Sequence, residues 1–212
     1  MAKNFPAPER TTNVANQSSR FGVKPSVMVL HITVSHNRPG LSDIDGIISF
    51  FNQPSNEASS HIVNDSEGHD ARLVPDSRKA WTQSAYNAPA LSIEQIHFSA
   101  TTSRREWMRD SSHQLANTAK WIAYWSIEHN IPIRRAWTPG SGVVARSGVA
   151  THKQLGASGG GHVDPGDNYP MEYVLWLARY YKAQQTGNRK AQEKARREVN
   201  GRRKHFGLKP IA

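Results

Sequence analysis

The chain has ten histidines in 212 residues, and two of them, with one aspartate, could do chemistry together. His31 sits near the end of a short apolar, β-branched run, Ser26 to Val34 (SVMVLHITV), where a polar ring needs a reason. His152 lies in GVATHKQLG, and twelve residues later comes Asp164 in GGGHVDPG. Two imidazoles and a carboxylate form a donor set suited to Zn²⁺, with a fourth position left for water. Ligands so far apart in sequence are less specific than two histidines on one helical turn. Spacing alone therefore leaves two plain alternatives open. His31 could be a core histidine bonded to backbone, and Asp164 before Pro165-Gly166 is also an ordinary turn signature.

The elements that must position these residues can be read from periodicity. Ser26 to Val34 predicts a largely buried strand. After the loop closed by Pro39-Gly40, Ser42 can cap a short helix, Asp43 to Asn52, with Ile44, Ile47, Ile48 and Phe51 on one face. Ser60 to Asn64 and Ala71 to Pro75 read as a hairpin about a turn at Asp65 to Gly68. Leu91 to Phe98 (LSIEQIHF) alternates at period two, setting Leu91, Ile93 and Gln95 against Ser92, Glu94 and Ile96. Ser111 to Asn130 predicts the clearest helix, with Leu115, Ala119, Ile122, Ala123 and Ile127 as its stripe and Trp121 and Trp125 as core. Pro132 stops it, and Ile131 to Trp137 reads as a short strand. Gly140 to Tyr169 reads as a glycine-rich loop, Met171 to Gln184 as a helix, and Arg189 to Asn200 as a basic helix.

Composition bounds the function. Hydrophobic residues make up 37% and charged residues 21%, against a fibrous or wholly disordered chain. No apolar run reaches the roughly 18 residues of a membrane span. Met1 to Arg20 is polar, which reads as no secretory signal. Cysteine is absent, removing disulfides and thiolate catalysis together. Of the net charge of +10, residues 186–212 carry nine Lys or Arg and two Glu, hence +7. The rest is close to neutral, which argues against a broad nucleic-acid face. Three regions follow: an irregular N-terminal arm over 1–24, a main domain over 25–185, and a basic C-terminal tail over 186–212, helical in part.

The series LHITVS, SSHIVNDSEG, AWTQSAYN, LSIEQIHFS, GVATHKQLG and GGGHVDPGDNYP resembles the type 2 N-acetylmuramoyl-L-alanine amidases. That family includes phage endolysins and is related to the peptidoglycan recognition proteins. The resemblance runs from about Val27 to Tyr181, and its His…DPG element is the most specific piece. It implies an α/β fold, with a central mixed sheet flanked by helices and a zinc cleft at one edge. It implies that His31, His152 and Asp164 hold zinc. Glu94 matches the family's acidic strand residue, which would take the proton of the attacking water and pass it to the leaving amine. His162 falls where relatives often carry Lys or Thr that assists catalysis, and would stabilise the oxyanion. A histidine there would tie activity to protonation in the imidazole range. Ser60 falls where some relatives have a catalytic Tyr, so that role is missing or shifted to Glu94.

The activity implied is hydrolysis of the amide between N-acetylmuramic acid and L-alanine of the stem peptide. A phage endolysin, held in the host cytoplasm until released to the wall, fits a compact chain without a secretion signal. His36, Trp81, Tyr86 and Asn87 are candidates to line the substrate cleft, although an aromatic is more often core packing and Asn87 can simply shape its turn. His61 reads as a half-buried strand residue, and His69, His97, His113, His129 and His205 as surface. The basic tail could attract anionic wall polymers or lipids, or contribute only solubility. Two rival enzymatic and binding classes remain: a non-catalytic peptidoglycan-binding protein of this fold, and a peptidase cutting within the stem. Nucleic-acid binding driven by the tail is a third.

Overall fold

The structure is a computed structural model that describes residues 6–35, 41–137 and 144–212, without the side chains of Leu41 and Ser42. His36, the Pro39-Gly40 loop closure and the Ser42 cap lie outside the described residues. In chain order the strands are Arg10–Thr11 (β1), Gln17–Ser19 (β2), Val27–Ile32 (β3), Ile62–Asn64 (β4), Asp70–Arg72 (β5), Arg78–Ala80 (β6), Ala90–Gln95 (β7) and Gly148–Thr151 (β8). The α-helices are Leu41–Phe51 (α1), Arg104–Asp110 (α2), Ser112–Glu128 (α3), Met171–Gln185 (α4) and Arg189–His205 (α5).

Six strands form a mixed sheet in the order β1-β5-β4-β7-β3-β8. β3 runs parallel to both β7 and β8, β4 is parallel to β7, and the β4–β5 hairpin is antiparallel. The β-branched run of β3 is buried at every position, as a strand covered on both faces must be. Its two faces serve different layers. Met28, Leu30 and Ile32, with Leu91 and Ile93 of β7, pack against Leu115, Trp121 and Trp125 of α3 and Val174 and Leu177 of α4. On the opposite face, Val27, Val29, Ala90 and Ala150 pack with Leu155, while Ile44, Ile48 and Phe51 of α1 cover Val63 and Leu73. The α/β expectation, with helices on both sides, holds.

Several expectations need correction. The arm over 1–24 is not wholly irregular: β1 pairs with β5, β2 pairs with β6, and Val14 is buried in the core beside α1. Arg20 is buried too, its guanidinium donating to the carbonyls of Asp76, Ala88 and Ala90. Ile131 to Trp137 makes only isolated bridges, Arg135 to Val149 and Trp137 to Val144, and is not a strand. The supposed loop Gly140 to Tyr169 contains the edge strand β8 and a 3-10 segment, His152–Gly159. Helix α2, capped by the reciprocal Ser103–Glu106 box, is an addition that periodicity over seven residues is too short to reveal. His97 is not on the surface: it stacks on the Trp107 ring at 3.9 Å and is 4% exposed. His61 is fully buried rather than half-buried. The basic segment is a full helix docked on α4, with Ala195 and Val199 inside the main core.

Candidate metal centre

The carboxyl ends of β3, β7 and β8 bring the chemistry together, as parallel strands commonly do at that edge of a sheet. His31 is the fifth residue of β3 and lies opposite Glu94 of β7 in the parallel register. Both therefore project from the same face, away from α3 and α4. His152 follows directly on β8, and the turn at Asp164-Pro165-Gly166 returns the carboxylate to the same place. His31, His152 and Asp164 are all buried, and one ligand atom of each lies within 4.8 Å of the others.

The ring hydrogen bonds decide what this cluster can hold. His31 Nε2 is 3.0 Å from the side-chain oxygen of Gln83, and His152 Nε2 is 2.8 Å from the carbonyl oxygen of Gly159. Both partners accept only, so Nε2 of each ring is the donor in these bonds. The two Nδ1 atoms lie 3.0 Å apart on the side of the rings that faces Asp164. Asp164 adds its carboxylate, 2.9 Å from Nδ1 of His152 and 3.6 Å from Nδ1 of His31. Two imidazole nitrogens and a carboxylate converging on one buried place make a donor set that fits a metal ion. Burial first, and then the neighbouring His152 ring, push His31 down to about 3, keeping it in the neutral form that binds metal.

Outer partners hold these ligands in place. The backbone N–H of Ile32 donates to Asp164 at 3.2 Å. Gln95 donates to the carbonyl of His31, and its own oxygen accepts from Tyr169 and Thr118. The 3-10 segment His152–Gly159 curls back so that Gly159 meets the ring at the segment's own start. Gly166 has φ +92°, and a Cβ there would run into the carbonyl of Ala100, so only glycine lets the Asp164 turn close. Sequence reasoning assigned no role to Gln83, Gln95, Gly159 or Tyr169. Gln83 stands inside AWTQSAYN, yet an outer hydrogen-bond partner leaves no spacing signal.

A cleft of about 480 Å³ opens over the donors. Glu94 lines it with His31, His152, Asp164 and His162. Burial, then the Asp164 charge, pushes the Glu94 carboxyl well above its ordinary value. His162 is exposed at the rim, its ring stacked on that of His152 at 4.4 Å and 15°. Trp81 and Asn87 line the cleft, and Asn87 also shapes its turn by accepting from the backbone N–H groups of Thr82 and Gln83. Tyr86 is not among the residues lining the cleft and packs instead against the cluster that includes Val27, Val29 and Leu155. Ser60 is buried outside the cleft lining.

The fold recurs in solved structures at low sequence identity. The Staphylococcus aureus hydrolase AmiA matches with a TM-score of 0.64 and 19% identity over 84% of each chain. The endolysin N-acetylmuramoyl-L-alanine amidase LysCS from Clostridium intestinale matches at 0.52 and 16% identity, over 78% of this chain and 91% of that one. The Apis mellifera protein PGRP-SA matches at 0.53 and 18% identity, over 73% and 84%. The sequence finds no significant match among curated proteins. Across residues 21–167, a span that begins just after Arg20 and closes just past the Asp164 turn, the sequence matches the profile described as N-acetylmuramoyl-L-alanine amidase, and the chain belongs to that family.

Proposed function

We propose that the protein is a zinc-dependent peptidoglycan hydrolase that cleaves the amide between N-acetylmuramic acid and L-alanine of the stem peptide. The observation that carries this reading is the convergence of two imidazole Nδ1 atoms and a carboxylate on one point beneath an open cleft. Two imidazoles and a carboxylate, leaving a fourth position free, suit zinc among the common divalent ions. Zinc bound there would bring the pKa of a bound water to about 7 and polarise the scissile carbonyl.

The remaining work falls to the chain's own side chains. Glu94, raised in pKa and facing the cleft beside His31, is suited to accept a proton from water and return it to the departing amine. His162, stacked on a ligand ring at the rim, is placed to donate a hydrogen bond to the oxygen that gains charge. Trp81 and Asn87 offer an aromatic wall and an amide to orient sugar or peptide. With Ser60 buried outside the cleft lining, the proton-carrying role falls to Glu94.

We assign the enzyme to phage lysis of the host, released to the wall from the cytoplasm by a separate route. This origin is supported by the likeness to an endolysin amidase and is the finer part of the proposal. Digestion of purified peptidoglycan, with the new amino termini identified by mass spectrometry, tests the reaction. L-alanine termini are expected; termini from within the stem would make it a peptidase, and none would make it a binding protein. For the origin, cells expressing the protein should lyse only once the inner membrane is permeabilised.

A further inference from the structure

Outside the metal cleft, the most basic part of the molecule is the surface made by α4 and α5. The segment after residue 185 holds nine Lys or Arg against two Glu. Helix α5 has already used its apolar stripe, because Ala195 and Val199 are buried against α4. Among the described residues, no exposed large hydrophobic side chain lies on either helix. A helix without a free apolar face has nothing to insert into a bilayer, and what its exposed side offers a partner is mainly charge.

The charges are arranged along a path. A groove between α4 and α5 is lined by Trp176, Arg179, Lys182 and Lys194. The Arg179 guanidinium lies 4.4 Å over the Trp176 ring, and that of Arg202 lies 6.0 Å from the same ring. Arg202 in turn lines a cavity of about 550 Å³ with Arg104 and Arg135, where Arg135 sits 5.3 Å over Trp137. The far wall of that cavity includes Gly166 and Asp167, in the turn that begins with Asp164. Groove and cavity thus carry three Lys or Arg each, against two acids, Asp167 and Glu172. Asp167 is paired with Lys153, Glu172 with Arg135 at 2.6 Å, and Glu198 of α5 with Nη1 of Arg202 at 2.6 Å, so Arg135 and Arg202 meet a ligand with their remaining N–H groups. A guanidinium laid on an indole is held flat and presents its N–H edge, the geometry that recognises phosphate and carboxylate.

We propose that Lys194, Arg179, Arg202 and Arg135 form a track that holds a phosphate-bearing acidic polymer of the cell wall beside the metal cleft. The choice of a wall polymer over other polyanions rests on the amidase reading, because the track ends at the loop carrying Asp164. The track is electrostatic and directional, and it is distinct from the diffuse charge on the rest of α5.

Binding of fluorescent poly(glycerol phosphate) to the full chain tests this against a matched control. The track pair Lys194→Gln/Arg202→Gln is compared with Arg189→Gln/Arg196→Gln, which removes the same charge from the groove on the other flank of α5. The track pair should weaken binding on the order of 10-fold and lower the log–log salt slope by about one to two, while the control pair costs less than about 3-fold. Equal losses from both pairs would overturn the proposal in favour of diffuse attraction. Duplex DNA or phosphatidylglycerol vesicles responding to the track pair more than the polymer does would overturn it as well. The polymer contains no muramyl amide, so the two readings fail separately. Hydrolysis without polymer binding would sink the track, and polymer binding without hydrolysis would sink the amidase.

Discussion

His31 and His152 face each other with their Nδ1 atoms 3.0 Å apart, while each Nε2 is bonded to an oxygen that can only accept. Two such rings beside a carboxylate form a donor set whose metal, once bound, would stabilise the folded state. Removing the metal would take that stabilisation away. Chelation should therefore lower the melting temperature by several degrees as well as abolish hydrolysis, and zinc should restore both. A chelated protein that melts unchanged would show that the donors are satisfied without metal.

The Gln83 oxygen orients the His31 ring from outside the donor set. Gln83→Ala should leave the fold intact and weaken metal binding about 10- to 100-fold, the usual cost of losing an outer partner. A competition titration with a zinc chelator reads this directly. Unchanged affinity would mean that packing alone holds the ring.

Gly166 closes the Asp164 turn against the Ala100 carbonyl with a positive φ. Gly166→Ala should displace the carboxylate, reduce bound metal and lower the melting temperature together. A variant with full metal content would contradict the close approach described here.

Glu94 is paired in register with His31 and stands outside the candidate donor set of His31, His152 and Asp164. Glu94→Gln should keep its metal and its melting temperature while losing about 10²- to 10⁴-fold in turnover. Loss of metal along with activity would make Glu94 a ligand instead.

His97 links stability to acid. Burial against Trp107 lowers it from its ordinary value to about 4. Its folded pKa lies below the unfolded one, so its contribution is complete above about pH 6.5 and is lost as pH falls towards 4. The whole effect is about 3 kcal/mol. His97→Phe should flatten the decline in stability across that window, as followed by urea unfolding at several pH values. An identical decline in the variant would remove His97 as its source.

Much of this architecture was legible in the sequence because it follows from periodicity. The run around His31 reads as a buried strand, the alternation of LSIEQIHF puts Glu94 on the face opposite Leu91 and Ile93, and the stripe of α3 reads as core. Strand β8 was hidden because GVAT is four residues set among glycines, and its pairing with β3 is a long-range choice. His97 looked like surface because only the tertiary approach of Trp107 buries it. The three donors were legible by residue type and motif. Gln83, Gln95 and Gly159 were not, because a supporting hydrogen bond constrains position rather than spacing. The basic segment was visible as charge, but its docking on α4 buries just Ala195 and Val199 of the helix fully, too few to stand out as a stripe, with Phe206, Leu208 and Ile211 adding partly buried contacts after it.

The central claim is that His31, His152 and Asp164 hold a zinc ion on which amide hydrolysis depends. The most direct measurement is zinc content by elemental analysis of the parent and Asp164→Ala, with peptidoglycan digestion scored by release of L-alanine amino termini. The account predicts about one zinc per chain with L-alanine release in the parent, and loss of both in the variant. A parent that releases L-alanine without zinc, or that binds zinc and releases nothing from any wall tested, would contradict it.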